Sequence, residues 1–358
     1  MSKKIQSRNL FVRNKSKSPG FKSYVLWLVA VIAIFYGFVF LLPVVPREGN
    51  IPEAPVYKVK IKSQSSLAGV ASQLEEQGVG SSPLFIQISA RALFIGSKLK
   101  PGTYLLPTRA SIGKVLLQIA RGDRVRESIA IIPGMTIWQL REVVDAHPAL
   151  IHQTKGISSK EMLQSLGLNY PSVEGIFMPD TYIFDPDEPD INIYRRASQA
   201  MQKQIAQAWE QKPEKSPIKS PYELLILASI IEKETGRASD RGQVSAVFLN
   251  RLNKAMPLQT DPTVIYGIGP RFDGNLRKTD LRRDSPYNTY MHKGLPPTPI
   301  AMPSLESIQA VVKPAQSTAL FFVARGDGSS HFSSSLTEHE SAVDRYQRKK
   351  SPKADLNK

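Results

Sequence analysis

The spacing of hydrophobic and polar positions changes several times along the chain. Residues 24–45, YVLWLVAVIAIFYGFVFLLPVV, carry no charge. A helix of that length reaches across a bilayer core of roughly 30 Å. Residues 46–55 are polar and Pro-rich and predict a linker. Over 56–62 the period drops to two, with Tyr57, Val59 and Ile61 on one face and Lys58, Lys60 and Lys62 on the other, the pattern of a half-buried strand. Helical spacing follows. Leu67, Val70, Ala71 and Leu74 form a stripe over 66–77, closed by Gly78 and Gly80. Ser111 introduces Val115, Leu116 and Ile119 before Gly122, and Thr136 introduces Leu140, Val143 and Val144. Strands are predicted at 102–106 and 127–132. This rhythm over 56–145 is that of a small α/β module or a plain spacer domain.

Further on, a turn-rich stretch at 175–182 and an acidic loop at 185–190 precede a helical pattern over 191–211. Residues 221–235 predict a helix that is apolar all round at 224–231 and therefore buried. Ser220 suits its N-cap, Pro221 its first position, Glu223 a capping box and Gly236 its stop. A second helix is predicted over 240–252, and Asp261-Pro262 marks another start. Near the end come a short helix from 303 to 312, a hairpin about Gly326-Asp327-Gly328, and a last helix opened by a Thr337–Glu340 capping box. Residues 350–358 predict a disordered tail.

Charge orients the apolar run. The net charge is +16. Residues 1–23 hold Lys3, Lys4, Arg8, Arg13, Lys15, Lys17 and Lys22 and no acid. The positive-inside rule then predicts a cytoplasmic tail at 1–23, a transmembrane helix at 24–45 and everything beyond it outside the cytoplasm. A cleaved signal peptide fits less well, because the run is long and no small-x-small site follows it. That location sets ATP-dependent chemistry aside. The rest of the chain stays basic, which suits a polyanionic partner or simple solubility. Nucleic acid matches the charge but no binding motif accompanies it. Cysteine is absent and the five histidines form no metal-type pair, so no metal is expected and a thiol nucleophile is excluded. No GxSxG signature for a Ser–His–Asp hydrolase is present.

The chemistry concentrates on the helix predicted at 221–235. Glu223 is explained by capping. Glu234 follows Ile230 and Ile231 by four and three residues, so its stem lies over an apolar face, and it sits at the negative end of the helix dipole. Both effects favour the protonated carboxyl, the form an acid catalyst of glycosidic cleavage needs. A Glu-Lys-Glu helix end is also a common solvated terminus. Loops rich in amide, hydroxyl and aromatic groups follow, and Gln259, Tyr287, Asn288 and Tyr290 are the candidates to line a sugar cleft.

Several segments closely resemble the endolytic murein transglycosylase (MltG, or YceG-like) family. They are EGIFMPDTY at 174–182, ASIIEKETG at 228–236, VFLNRL at 247–252, LQTDPTVIYGIG at 258–269, SPYNTY at 285–290 and GLPPTPIAMPS at 294–304. Their order and spacing match, and the resemblance covers nearly the whole chain after the tail. It implies an α+β protein with a single N-terminal transmembrane helix, a LysM-like α/β module at 56–145 and a mixed α+β catalytic domain at 146–349. It places Glu234 at the catalytic position, with no cofactor. The implied reaction cuts the MurNAc–GlcNAc β-1,4 bond within nascent glycan strands, leaves a 1,6-anhydro-MurNAc end and stops strand growth. The implied partners are peptidoglycan glycan strands and the synthases that make them, at the inner membrane.

Hydrolysis would need a second carboxyl roughly 5–9.5 Å from the first, and Asp261, Glu232 and Glu174 are the candidates. A rival from another class is a non-catalytic scaffold that anchors synthases to the wall.

Overall fold

The computed structural model describes residues 21–45 and 56–348. The expected tail up to residue 20, the linker at 46–55 and the end from 349 onward lie outside the described residues. The chain forms two compact units that divide between Val125 and Arg126.

In the first unit, α1 (Phe21–Leu41) carries the apolar run, and its length and composition are compatible with a membrane span. The helix ends before the expected residue 45 because Pro43 lacks an amide hydrogen and disfavours helix in the residue before it. Val44 and Val45 instead donate their N–H groups to the Ala110 carbonyl, at 2.9 and 3.2 Å. After it come β1 (Val56–Ile61), α2 (Leu67–Glu76), α3 (Pro83–Ala92), β2 (Gly102–Pro107) and α4 (Ile112–Arg121). β1 and β2 pair antiparallel, Val56 opposite Pro107 and Ile61 opposite Gly102. The buried stripes of α2 and α4 are those their spacing predicts. Helix α3 was not anticipated. Its local signal is Ser82, whose hydroxyl accepts from Phe85 N–H, followed by Pro83 in the first turn.

The second unit begins with β3 (Glu127–Ile131), α5 (Ile137–Asp145), β4 (Leu150–Ile151), α6 (Ser159–Leu166), β5 (Asp180–Phe184) and β6 (Glu188–Pro189). It continues with α7 (Ile191–Glu210), α8 (Pro221–Glu234), α9 (Ala238–Asn253), α10 (Asp261–Ile268), α11 (Leu305–Val312), β7 (Phe321–Ala324), β8 (Ser330–Ser333) and α12 (Leu336–Val343). β3 pairs antiparallel with β5, and β7 with β8. Ile129, Ile131, Leu140 and Val144 therefore join the core around α8 rather than the core of the first unit. α8 lies at the centre. Every residue from Leu224 to Ile231 is buried, against α7, α9, α10 and α11.

Two predicted ends move. α8 stops because Thr235 turns to an extended backbone (φ −141°), not through a left-handed Gly236. The last capping box is Ser335–Glu338, two residues earlier than the Thr337–Glu340 pairing, with both reciprocal hydrogen bonds formed. At the other end of α8, Glu223 Oε2 accepts from Lys219 N–H at 2.7 Å, so its carboxylate reaches one residue beyond the expected capping-box donor.

Distant motifs meet at Gly175. Its φ is +78°, and a Cβ there would lie 2.4 Å from the Pro299 Cβ. Gly175→Ala adds left-handed strain to a clash between two buried loops, and should cost about 3 kcal/mol. Thermal unfolding of the detergent-solubilised chain checks this, and an unchanged midpoint would refute the tight contact.

Candidate active site

Glu234 ends α8 where the loop before α10 and the start of β7 come together. Its neighbours enclose a cleft of about 630 Å³, lined also by Arg251, Gln259, Asp261, Tyr290 and Phe321. The Thr260 hydroxyl donates to Glu234 Oε2 at 2.6 Å. Thr260 is the N-cap of α10, yet its hydroxyl makes no cap bond because it is turned to the carboxyl. Burial pushes the Glu234 pKa up. The Thr260 hydrogen bond lowers it in part, the charge of Asp261 raises it further, and Arg251 lowers it. The carboxyl is thus held toward its protonated form while one edge opens on the cleft.

The loop carrying Thr260 is clamped from two sides. Arg251 is buried; its Nε donates to Leu320 O at 2.7 Å and its Nη1 to Leu258 O at 2.8 Å. Its guanidinium lies 5.3 Å from the Phe321 ring centroid. The adjacent Asn250 donates to Ser317 O and Ala319 O at 2.8 and 3.0 Å. From the other side, Gln259 N–H donates to Thr289 O at 3.0 Å and Thr260 N–H to the Thr289 hydroxyl at 3.1 Å. Gln259 is held at φ +49°, a left-handed conformation that is costly for a non-glycine residue, and its side chain is exposed at the cleft.

The four expected sugar contacts separate. Gln259 and Tyr290 line the cleft, and the Tyr290 hydroxyl donates to Asp261 Oδ1 at 2.6 Å. Tyr287 lies elsewhere, its hydroxyl 2.8 Å from the Thr298 hydroxyl and its ring edge-on to Tyr266. Tyr266 in turn stacks on Trp138, centroids 5.0 Å apart, beside a second hollow of about 360 Å³ that Lys233 also lines. Asn288 is buried. Its amide donates to Leu281 O and Arg283 O at 3.1 and 2.7 Å, and its Oδ1 accepts from Tyr290 N–H, so its side chain is committed to shaping this loop.

The other carboxyls also separate. Glu174 is fully buried and accepts from Ile137 N–H at the start of α5 and from Gly175 N–H; burial raises its pKa to about 7. Glu232 Oε2 accepts from Ser304 N–H at 2.9 Å and the Ser307 hydroxyl at 2.7 Å, and so caps α11. Of the three candidate second carboxyls only Asp261 faces the cleft. Asp145, His152 and Asp190 bring ligand-type atoms within 4.8 Å of one another. Both Asp190 oxygens already accept from the Gln153–Thr154 loop, however, the shortest bond being 2.7 Å from the Thr154 hydroxyl. Thr260 and Arg251 were missed as parts of the site. Their signal, a Thr just before an Asp-Pro helix start and an Arg near a helix end, reads locally as ordinary capping.

A family model described as YceG-like matches residues 59–345, and the chain belongs to that family. It is 29% identical over 307 residues to a Bacillus subtilis (strain 168) protein named endolytic murein transglycosylase, covering 80% of this chain and 84% of that one. A Streptococcus pneumoniae (strain D39) protein of the same name is 26% identical over 367 residues, 90% of this chain and 65% of its own length. A crystal structure of a YceG-like protein from Listeria monocytogenes aligns with a TM-score of 0.51 and 27% identity, over 80% of this chain and 98% of that one.

The electrostatics predict opposite displacements for two substitutions. Thr260→Val removes a donor to the carboxylate and should move the Glu234 titration to higher pH. Asp261→Asn removes a like charge and should move it to lower pH. Carbon-13 NMR of the Glu234 carboxyl reads both, and shifts of the same sign would refute this account.

Proposed function

We propose that this chain is an endolytic murein transglycosylase that cuts peptidoglycan glycan strands with Glu234 as its acid and base. The observation that carries the reading is a carboxyl pushed toward its protonated form at the wall of an open, polar cleft. The names of its relatives support the same reaction class. In the proposed reaction Glu234 gives its proton to the glycosidic oxygen as the bond from MurNAc C1 breaks. The MurNAc C6 hydroxyl attacks C1, and the Glu234 carboxylate takes the hydroxyl proton. One bond breaks and one forms, the acid is restored, and the product ends in 1,6-anhydro-MurNAc. A single carboxyl suffices because the nucleophile belongs to the substrate. Thr260 keeps the carboxyl aimed into the cleft in both protonation states.

Gln259 and Tyr290 are proposed to hold the strand, one by its amide and the other by its ring face. Tyr287 and Asn288 support that surface from behind. In the proposed organisation α1 spans the inner membrane once, with residues 1–23 in the cytoplasm and 46–358 outside. The region at 56–145 serves as a LysM-like glycan-contacting module whose last elements, β3 and α5, also build the catalytic core. Catalysis belongs to 146–349, and synthases of nascent strands are the partners.

Incubating purified glycan strands with the full chain and analysing the muropeptides tests this. The expected product is an anhydro end within strands. A reducing end would instead assign hydrolysis, with Asp261 as the second carboxyl, and uncut strands would return the scaffold reading. Glu234→Gln should lower turnover by about 10²–10⁴-fold, the usual worth of a general acid–base, with folding retained. Gln259→Ala and Tyr290→Ala should each weaken turnover without lowering the thermal midpoint; a loss of stability in step with activity would make them structural instead.

A further inference from the structure

The first unit is joined to α1 by more than a linker. Phe35 meets Phe85 of α3 edge-on at 6.0 Å between centroids, and the Tyr36 hydroxyl donates to the Ala92 carbonyl at 3.1 Å. Val39 is fully buried, and Gly113 of α4 packs against Phe40. Beyond the helix, Gly80 N–H donates to Val44 O at 2.7 Å.

We propose that the α3 edge of this unit is seated in the headgroup and upper acyl layer of the membrane that α1 crosses, and binds anionic lipid there. The inference rests on the reading of α1 as a span. Length is the first argument. Residues 21–34 of α1 are all exposed. Fourteen residues rise about 21 Å, and the eleven from Tyr24 about 16 Å, at 1.5 Å per residue. A bilayer core needs roughly 30 Å. The missing 9–14 Å must come from residues 35–45, where Phe35, Val39 and Phe40 pack against the unit on one face while Tyr36, Phe38, Leu41 and Leu42 stay exposed on the other. The elements packed on that face therefore enter the outer leaflet with α1.

Their surface chemistry fits that position. Leu84 and Ile88, one turn apart on α3, are 66% and 44% exposed, and Phe94 just beyond is 85% exposed. Phe94 sits at φ +58°, a conformation costing about 1–2 kcal/mol for a residue with a Cβ, and it holds an aromatic ring away from the protein. The left-handed turn closes α3, with Phe94 N–H donating to Arg91 O and Ile95 N–H to Ala90 O, both at 3.0 Å, and it leaves the ring facing outward; in the interfacial layer that ring is buried in lipid. Charge agrees. Residues 77–122 contain Arg91, Lys98, Lys100, Arg109, Lys114 and Arg121 and no Asp or Glu. Arg91 follows Ile88 on α3 by three residues, so its stem lies along the apolar patch while the guanidinium reaches the phosphate level. Seated in this way, the unit is fixed at one height on the bilayer.

The chain has no cysteine, so single sites can be labelled without background. Ile34→Cys, Ile88→Cys and Phe94→Cys variants of the full chain, each carrying an environment-sensitive fluorophore, go into vesicles of phosphatidylethanolamine and phosphatidylglycerol. Spin-labelled lipids then quench from within the bilayer and iodide from the water. The expected result is lipid quenching at 88 and 94 within about twofold of that at 34, with weak iodide quenching at all three. Strong iodide quenching at 88 and 94, with 34 quenched by lipid, overturns the lipid seat and leaves the span standing. Absence of lipid quenching at 34 as well removes the span and this inference together. Shielding of 88 and 94 from both quenchers assigns the face to a protein partner and also overturns the proposal.

Discussion

The second unit is organised around taking one carboxyl out of water at the end of a helix that is itself out of water. α8 is buried on every side from Leu224 to Ile231, so its end cannot shift without unpacking the core. Glu234 inherits that position and meets burial, the negative pole of its own helix and the charge of Asp261. Each favours the proton. The Thr260 hydroxyl and the buried Arg251 act in the opposite direction and offset part of this. If the carboxyl swung into open solvent, the shift would vanish along with its cause.

Several polar motif residues of this unit fix the loops and helix ends around that position. Asn250 and Arg251 bond the backbone leading into β7, and Arg251 also holds the loop before α10. Asn288 gathers carbonyls of its own loop, and Glu174 and Glu232 occupy the amide ends of α5 and α11. Buried polar groups of this kind are expensive to leave half-satisfied and rigid when complete. The bonds from Arg251 and Thr289 hold the loop at 257–261 against Glu234. Flexible loops could not hold a 2.6 Å contact to a carboxyl that burial is pushing toward neutrality. The first unit obeys a similar rule by different means. Its chain leaves α1 through Pro43 and is tied at once into its own body by Val44 and Val45.

Local signals in the sequence determined the apolar run, the strand at 56–61, most helix positions, the hairpin near the C-terminus and the family, because periodicity, caps and motif order are written in neighbouring residues. They also marked Glu234 as an acid at the end of an apolar helix. Only the tertiary structure decided what surrounds each acid. Glu174 lies in a loop and Glu232, Glu234 and Asp261 lie near helix ends in the sequence, yet Glu174 and Glu232 accept from backbone amides 37 residues upstream and 72 residues downstream, and the other two face a cleft. The same holds for Tyr287 against Tyr290, for Thr260 as the partner of Glu234, and for β3 and α5 joining the second core. A carboxyl's state depends on which amides, hydroxyls and charges lie within a few ångströms of it, and those come from segments far apart in the chain.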